Sequence, residues 1–378
     1  MSSKSSHYDR QSSVYYSLAL NRISGVGAVL FKRLIEAFET PECVFQASES
    51  ELKKISGMRP ATLEAITGFR EDEWAYRELD SLSRLKIRII SLADPDYPAL
   101  LKTIYDPPPL LYVRGDIIEK DRNAIALVGS RNASAYGKEM TRRLARGLSR
   151  YGFTVVSGLA RGIDTAAHQG ALEAGGRTLA VLGSGIDRIY PWENQRVGEE
   201  TVRHGALLSC FPLGAAPDAC NFPARNRIIS GLSLGVVIVE ASFRSGSLIT
   251  ARLALDQGRE VFAVPGNVGA PSSSGTNRLI QEGAKLVTDV EDIVEEFVLA
   301  GIEPGLDKQE LKTSGPQQPL NEQAKIVLDL LELIPIHIDD LIHRSGLPSS
   351  EVASLLLDLE LNGHVVQLSG KMFKKVCM

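Results

Sequence analysis

The sequence predicts a doubly wound α/β sheet of parallel strands at the centre of a multidomain chain. Between residues 124 and 288, segments with strand pattern alternate with segments of helical pattern. The strand segments are continuous apolar runs such as LAVL, VVIV and VFAV, which is typical of parallel strands buried on both faces. With 378 residues, of which 44% are hydrophobic, the chain is too long for one ordinary domain.

The alternation predicts six strands and the helices between them. The strands are expected at 124–129, 154–157, 178–183, 236–240, 260–264 and 285–288. The helices are expected at 135–151, 163–174, 224–232, 246–257 and 276–283. In an open α/β sheet the ligand binds at the carboxyl ends of the strands, so the loops that follow these strands are the candidate site.

The first of these loops has the features of an anion site. In the stretch AIALVGSRNASAY, the strand stops at Gly129, passes through Ser130 and Arg131, and a helix begins near Ser134. A glycine lets the backbone approach a ligand closely, a helix N-terminus offers unpaired N–H groups, and an arginine adds a fork of donors. The spacing excludes a dinucleotide fingerprint, G-x-G-x-x-G, and a Walker A loop.

The charges that follow indicate a large anion. Lys138, Arg142, Arg146 and Arg150 form a stripe along one face of the predicted helix. From Arg122 to Arg161 there are eight Lys or Arg residues and a single Glu, in a chain whose net charge is −4. Such an asymmetry predicts a polyanion, and a nucleic acid in particular. A solvated helix face is the alternative interpretation of the stripe alone.

Composition excludes several other classes. The four cysteines lie far apart without a C-x-x-C pair, which argues against a zinc site or a disulfide framework and predicts a reducing, cytoplasmic setting. The polar N-terminus and the lack of any run of about 18 apolar residues argue against secretion and membrane spanning. No cofactor and no metal are expected.

The regions before residue 124 are expected to form a tail, a helical domain and a connector. Residues 1–13 have the pattern of a disordered tail, and residues 14–75 that of a small all-α domain. The ISGVG turn at 23–27 lies between two helices and resembles a helix-hairpin-helix, SAM-like module, with a degenerate copy at 56–59. Either packing or DNA contact would suit this module. Residues 97–115 resemble an extended connector within a central domain spanning 76–300.

Seven segments at the predicted strand ends, taken in order, resemble the DNA processing protein A family, known as DprA or Smf. The likeness extends over nearly the whole chain. The segments are Gly129–Arg131, Ser157–Asp164, Gly183–Gly185 running to Tyr190–Asn194, Phe222–Ser230, Ser245–Ala251, Pro265–Asn267 and Ser274–Ile280.

The resemblance implies a Rossmann-like domain that binds single-stranded DNA taken up in natural transformation, protects it and helps to load the RecA recombinase. It also implies a homodimer built on the Rossmann-like domain, and no catalysis. Two further basic residues join the implied contacts: Lys138, from the cationic stripe, and Arg196, which follows the YPxxN block where the family often has a lysine. The expected DNA-binding residues are Gly129, Ser130, Arg131, Lys138, Arg161, Gly162, Asn194, Arg196, Arg225, Asn226, Arg227, Ser247, Gly266 and Asn277.

Other side chains suggest roles around this site. Phe222, Trp192 and Tyr190 are candidates for base stacking. Asp164 and His168 lie one helical turn apart, so an acid–base pair or a metal site is conceivable, but a helix-start charge beside a buried histidine is favoured. Asp187 and Glu240 are expected to hold loop arginines.

The main alternative function is enzymatic. Nucleoside-monophosphate phosphoribohydrolases also bind phosphate through a strand-end Gly-Ser and a later P-G-G-x-G-T loop. Here Pro265-Gly266-Asn267 and Gly275-Thr276 form only an interrupted version, and the paired Arg and Glu are not evident. A scaffold that binds recombinase without binding DNA is a third possibility.

The C-terminal region predicts a separate small domain. A linker is expected at 301–319 and a winged-helix domain at 320–378, with helices at 321–333, 338–344 and 349–361 before a two-strand wing. The expected recognition helix is acidic and lacks Lys and Arg, so protein contact is predicted in preference to major-groove binding. The wing lysines Lys371, Lys374 and Lys375 leave room for a minor contribution to DNA binding.

Overall fold

The computed structural model describes residues 3–299, 301, 322–331, 336–361, 365–368 and 370–375. The chain divides into two compact units, residues 1–307 and residues 308–378. Among the described helices, none is both long and apolar enough to cross a membrane.

The larger unit is built on a nine-stranded sheet. The order across the sheet is β1-β2-β6-β5-β4-β3-β7-β8-β9, in which β3 to β9 are parallel and the pairs β1–β2 and β2–β6 are antiparallel. The strands are β1 Arg88–Ser91, β2 Leu110–Gly115, β3 Ala124–Val128, β4 Thr154–Ser157, β5 Thr178–Val181, β6 Gly205–Ser209, β7 Gly235–Ile238, β8 Glu260–Ala263 and β9 Lys285–Leu286.

Helices join the parallel strands as the sequence predicts, and the doubly wound fold is confirmed. Every residue of β3, β4, β5, β6 and β7 is buried, as expected for strands covered on both faces. Three short 3₁₀ turns lie at Glu119–Arg122, Trp192–Asn194 and Pro271–Ser273. The helices of this part are α8 Ala135–Arg150, α9 Ile163–Glu173, α10 Gln195–His204, α11 Asn221–Gly231, α12 Ser247–Asp256, α13 Ser274–Gln281 and α14 Glu291–Leu299.

The strand order reverses between β3 and β7. From β3 the chain winds outward through β4, β5 and β6, and it then returns to the other side of β3 to continue through β7, β8 and β9. Loops leaving two adjacent strands in opposite directions open a crevice between them. The topology therefore places the expected site above the carboxyl ends of β3 and β7.

The residues before β3 contribute more to the sheet than the sequence pattern predicted. The expected connector at 97–115 contains the short helix α7, Ala99–Lys102, and strand β2. The three prolines at 107–109 lack amide donors and indicate extended chain. The apolar run that follows them forms β2, and it pairs with β6, which lies almost 100 residues later in the sequence. Helix α10 and strand β6 lie between residues 183 and 224, where the sequence pattern predicted neither a helix nor a strand.

The N-terminal region is helical throughout. Its helices are α1 Ser3–Arg22, α2 Ala28–Phe38, α3 Pro41–Gln46, α4 Glu49–Leu52, α5 Pro60–Thr67 and α6 Glu73–Leu85. Helix α1 begins well before residue 14, where the sequence predicted the first helix, so the structure differs from the disordered tail expected at 1–13. No Gly or Pro interrupts residues 3–22, and extending an existing helix costs far less free energy than starting one.

Two glycine turns confirm the helix-hairpin-helix pattern. Gly25 has φ +89° and Gly57 has φ +90°, a backbone conformation that favours glycine. Leu20, Phe31 and Leu34 of these helices belong to the same hydrophobic core as Leu111 and Val113 of the sheet. The predicted helical domain at 14–75 and the predicted domain at 76–300 therefore share one core within one compact unit.

The smaller unit is a winged helix, as predicted. Its described elements are α15 Glu322–Leu330, β10 Ile336–His337, α16 Ile338–Ser345, α17 Ser349–Leu361, β11 Val365–Leu368 and β12 Met372–Lys375. The three strands form a sheet in the order β10-β12-β11, and the helices bury Val327, Leu341 and Val352. Apart from Gly301, the predicted linker at 301–319 lies outside the described residues.

Candidate functional site

A cavity of about 440 Å³ lies where the strand order reverses. Its walls come from the loop after β3, the start of α9, the first turns of α11 and the start of α12. The lining residues are Val128, Gly129, Ser130, Arg131, Asn132, Ala160, Asp164, Ala219, Phe222, Pro223, Arg225, Asn226, Ile229, Ser245, Gly246, Ser247, Ile249 and Thr250.

A second cavity, of about 50 Å³, continues the first towards β5. Arg131, Ala160, Phe222 and Arg225 line both cavities. We call the two together the trough, since they follow the carboxyl ends of the neighbouring strands β7, β3, β4 and β5. The remaining residues of the smaller cavity are Gly158, Arg161, Gly183, Ser184, Tyr190, Pro191 and Pro217.

The aromatic ring of Phe222, at the junction of the two cavities, lies near two arginine side chains. The Arg131 guanidinium carbon lies 4.5 Å from the centroid of the Phe222 ring, and that of Arg225 lies 5.9 Å from it. Both distances are within the range of cation–π attraction. Arg131 is exposed, whereas Arg225 is buried, so only the first can meet a ligand in solvent without rearrangement.

Arg225 forms part of the floor of the trough. Its Nη1 donates a hydrogen bond to the Val181 carbonyl oxygen at 3.2 Å and lies 3.9 Å from Asp164 Oδ2. Burial raises the pKa of Asp164 and lowers the pKa of Arg225, and the attraction between the two groups opposes both shifts. A Cβ at Gly158 would lie 1.2 Å from Arg225 Nη1, so this guanidinium fits only against a residue without a side chain.

The exposed Arg161, which lines the smaller cavity, forms an ion pair with Glu193 through two hydrogen bonds. Its Nε lies 2.6 Å from Glu193 Oε1, and its Nη2 lies 2.9 Å from Oε2. The hydrogen bonds of this pair raise the pKa of Arg161 and lower the pKa of Glu193. Gly162 follows with φ +77°, and a Cβ there would lie 2.3 Å from the Ser130 carbonyl oxygen. The loops after β3 and β4 therefore pack closely together.

Four of the predicted contacts, Gly162 among them, hold the scaffold and do not line the trough. The buried Asn194 donates from Nδ2 to the carbonyl oxygen of Leu159 and to Thr165 Oγ1, both at 2.8 Å. Gly266 and Asn277 bind each other, since the Gly266 N–H donates to Asn277 Oδ1 at 3.1 Å and Asn277 Nδ2 donates to the Gly266 carbonyl oxygen at 3.0 Å. The side-chain amide nitrogens of both asparagines therefore already donate within the protein.

Arg227 lies away from the trough, in contrast to the prediction. Residues two apart on a helix point about 200° apart, so Arg225 and Arg227 of α11 cannot face the same cavity. Arg227 Nη1 lies 3.1 Å from Asp106 Oδ2, and its Nε donates to the Ala224 carbonyl oxygen. Asn226, between the two arginines, does line the larger cavity.

The predicted contacts on α8 and α10 are surface residues outside the trough lining. Arg196 is highly exposed and forms an ion pair with Glu200 at 3.1 Å. Lys138 is exposed on α8. Neither side chain lines either cavity.

The cationic stripe of α8 is partly neutralised by the chain itself. Arg146 lies 3.0 Å from both Glu139 and Glu173, and Arg142 lies 3.7 Å and 3.9 Å from the same two carboxylates. Glu173 comes from α9, which packs along α8, and the sequence pattern of α8 alone could not include it. The interpretation of the stripe as a free cationic surface is therefore wrong for these two arginines.

The helix N-terminus after β3 already has its anion. The Ser134 N–H donates to Glu240 Oε2 at 2.9 Å, its hydroxyl donates to Oε1, and a Cβ at Gly137 would lie 2.5 Å from Glu240 Cδ. The expectation that Glu240 holds a loop arginine is wrong, because backbone and hydroxyl donors satisfy it. Asp187 likewise accepts from the Gly214 N–H, at 2.9 Å.

Asp164 and His168 do not form a catalytic pair. Asp164 lines the trough, but His168 is fully buried and its Nδ1 lies 2.7 Å from Thr178 Oγ1. Since the Thr178 hydroxyl donates to the Val155 carbonyl oxygen, it accepts from the Nδ1–H tautomer of the histidine. Burial lowers the pKa of His168 to about 3, so the ring is neutral. No cluster of metal-ligating side chains occurs among the residues that the structure describes.

The prediction missed many wall residues, and four of them lie together just before and within the first turn of α12. Of this turn it included only Ser247, whose hydroxyl lies 2.7 Å from that of Ser245. Ser245, Gly246, Ile249 and Thr250 also line the larger cavity. They belong to the SGSLITA segment that carried the resemblance, so the signal was present but was not resolved into individual contacts.

The chain is similar to proteins of one family over most of its length. Residues 88–298 match the family model described as DNA recombination-mediator protein A, residues 312–371 match the DprA winged helix domain, and residues 17–68 match a SAM-like helix-hairpin-helix tandem. Protein Smf from Synechocystis sp. is 34% identical, over 95% of this chain and 98% of its own length. DNA processing protein DprA from Bacillus subtilis is 46% identical, over 59% of this chain and 73% of its own.

Solved structures agree with this likeness. DNA processing protein A from Streptococcus pneumoniae is 38% identical and matches with a TM-score of 0.65, over 75% of this chain and 97% of its own. DNA processing protein A from Helicobacter pylori, whose structure is described for its single-stranded DNA binding mode, is 30% identical with a TM-score of 0.51, over 57% of this chain and 97% of its own. A family model covers more than half of the chain and a relative at 34% identity covers nearly all of it, so the chain belongs to the DNA processing protein A (DprA, or Smf) family.

Proposed function

We propose that the chain binds single-stranded DNA in the trough, shields it, and helps to load the RecA recombinase onto it during natural transformation. The family and its DNA-processing role are the basis. The observation that carries the proposal is the group at the junction of the two cavities, where the exposed Arg131 lies over the Phe222 ring and Arg161 lies along the same wall.

This group suits a strand whose bases are unpaired. A guanidinium meets a backbone phosphate, while an aromatic face stacks on a base, and stacking needs a base that is free of its partner strand. Tyr190 lines the smaller cavity and is about half exposed, and Trp192 beside it is 78% exposed. Cations and accessible rings along one groove are the common means of binding single strands with little sequence preference.

Binding without catalysis is the better match to the carboxylates of the site. A hydrolase needs a carboxylate available to act on a water or a sugar. Here Asp164 is buried beside Arg225, Glu240 accepts from Ser134, and Glu193 is paired with Arg161. Incubation with AMP tests the alternative, since release of free adenine would favour a nucleoside-monophosphate phosphoribohydrolase.

The proposal includes a homodimer formed through the Rossmann-like domain. Support comes from the edge strand β9 and the helix after it, where Leu286, Val298 and Leu299 are all more than 40% exposed. Apolar residues at an unpaired sheet edge are costly unless another surface covers them. Light scattering on Leu286→Asp tests this part, with a shift to monomer expected.

For the winged helix we propose protein contact. Helix α17 carries Glu351, Asp358 and Glu360 without Lys or Arg, and phosphates would repel such a helix. The test compares RecA filament formation on DNA coated with the full chain and on DNA coated with a chain that lacks residues 320–378. We expect the deletion to change loading and to leave single-strand affinity within about twofold.

The DNA-binding proposal is tested with fluorescence anisotropy on a labelled oligo-dT strand of about 20 nucleotides and on the matching duplex. We expect preference for the single strand and an affinity loss of about tenfold for Arg131→Ala, since one exposed charge-assisted contact is removed. Arg122→Ala is the control, because Arg122 is exposed just before β3, at the amino end of the strand and not at the carboxyl end where the trough lies. Affinity within twofold of wild type for Arg131→Ala would contradict the proposal.

A further inference from the structure

The ion pair between Arg161 and Glu193 occupies a donor that the proposed ligand needs. Arg161 lines the trough, with 58% of its side chain exposed, yet two of its nitrogens are hydrogen-bonded to the two carboxylate oxygens of Glu193. A carboxylate and a phosphate present a guanidinium with the same pair of acceptor oxygens. A phosphate and Glu193 therefore compete for the same face of Arg161.

Glu193 is held in place by its neighbours. It lies in the 3₁₀ turn Trp192–Asn194, whose last residue is buried. Asn194 donates to the carbonyl oxygen of Leu159, two residues before Arg161, and to Thr165 Oγ1. The turn that carries the carboxylate is thus fastened to the loop that carries the guanidinium. Glu193 stays near Arg161 even when a ligand displaces it.

From this geometry we infer that Glu193 is an intramolecular substitute for a DNA phosphate, which masks Arg161 in the free protein and limits affinity for single strands. The inference rests on the proposed function of the trough. The carboxylate of Glu193 and a DNA phosphate compete for the Arg161 guanidinium. A strand must first break the ion pair, and its phosphate then lies beside the displaced carboxylate, whose like charge opposes binding.

The competition has a second consequence, for weak ligands. A short or singly charged anion gains one contact at Arg161 and has to break another, whereas a long strand gains several contacts elsewhere along the trough. Masking therefore favours polymers over mononucleotides and small anions. Glu193→Gln removes the charge while keeping the size of the side chain, so Arg161 becomes available to any phosphate.

The test is a double-mutant cycle on oligo-dT affinity, measured by fluorescence anisotropy. We expect Glu193→Gln to bind about threefold to tenfold more tightly than wild type, since an exposed ion pair and one like charge are removed. Because the strand contacts Arg161 in both proteins once Glu193 is displaced, the dependence of log Kd on log salt concentration is expected to change by less than about 0.7, the value for one whole phosphate contact on a single strand. AMP competition is expected to strengthen as well.

Two controls separate masking from a general change of charge. Glu119→Gln removes the same charge from another exposed ion pair, Arg122–Glu119. This pair lies before the amino end of β3, away from the trough, so no change in affinity is expected. In an Arg161→Ala background, Glu193→Gln should gain clearly less than in the wild-type background, because no guanidinium is left to unmask. Circular dichroism should be unaltered in each variant.

Each outcome has a definite meaning. If wild type binds oligo-dT but Glu193→Gln binds no more tightly, or gains equally with and without Arg161, the masking role is overturned and the proposed function stands. If wild type does not bind oligo-dT at moderate salt, the proposed function fails, and the masking role fails with it.

Discussion

The contact between Gly158 and Arg225 offers a sharp test of how the floor of the trough is built. In Gly158→Ala, the new methyl group would lie 1.2 Å from Arg225 Nη1 and 2.3 Å from Cζ. Non-bonded carbon atoms are comfortable at about 3.5 Å or more, so the guanidinium has to retreat by about 2 Å. It then loses its hydrogen bond to the Val181 carbonyl oxygen and its position beside Asp164.

The expected cost follows from the burial of both charged groups. Disturbing a buried ion pair or overfilling a packed site destabilises a protein by about 2–4 kcal/mol, which for a domain of this size lowers Tm by about 5–10 °C. The pKa of Asp164, already raised by burial, should rise further without the guanidinium. The pKa of Asp164 is then higher in the folded chain than in the unfolded chain, so the free energy of unfolding falls as the pH rises. The loss of stability relative to wild type should therefore be larger at pH 7.5 than at pH 5.

Thermal unfolding by circular dichroism at the two pH values measures both effects, and oligo-dT anisotropy measures the effect on the trough. Gly246→Ala is the matched control, because Gly246 also lines the trough but has φ −62°, and a Cβ added there would meet no atom within 4 Å. We expect the control to unfold within about 2 °C of wild type. A Gly158→Ala variant as stable as wild type would refute the reasoning.

Three further predictions concern residues outside the open part of the trough. The pKa of His168 is about 3 in the folded protein and 6.5 in the unfolded chain. Lowering the pH from 7.5 to 5 should therefore reduce the free energy of unfolding of the wild-type protein by about 2 kcal/mol more than that of His168→Gln, measured by urea unfolding. Arg227→Ala should lower Tm by a few degrees, since Asp106 loses its partner, and leave oligo-dT affinity within about twofold. Asn194→Ala should lower both Tm and affinity by freeing the loop at Leu159, with hydrogen exchange of residues 159–165 as the direct measurement.

The parallel core was predictable because its signals are local. Buried strands consist of apolar residues, and the glycines that end them, such as Gly129 and Gly158, mark places where the chain turns and another group approaches closely. Strand β4 was predicted with its observed bounds, and β3 differs by one residue. The antiparallel strands β1 and β2 were not predicted, and β2 joins the sheet only by pairing with β6, which lies almost 100 residues later in the sequence.

The composition of the trough could be predicted only in part. Sequence order indicated that the loops after β3, β4 and β7 meet, and the structure brings Arg131, Arg161, Arg225 and Ser247 to one trough. Which side chains are available there depends on partners from other elements. Glu173 of α9 neutralises arginines on α8, and no pattern within α8 encodes that pairing.

By itself, the sequence determined the layered α/β fold, the winged helix and the edge of the sheet where the site lies, because hydrophobic periodicity and glycine positions are properties of short segments. Only the tertiary structure decided which charges are free. Glu240 binds the helix N-terminus after β3, Glu193 pairs with Arg161, and Asp106 pairs with Arg227. The physical reason is that a charge is neutralised by its neighbours in space, at distances of about 3–4 Å that residues far apart in the sequence reach only after folding.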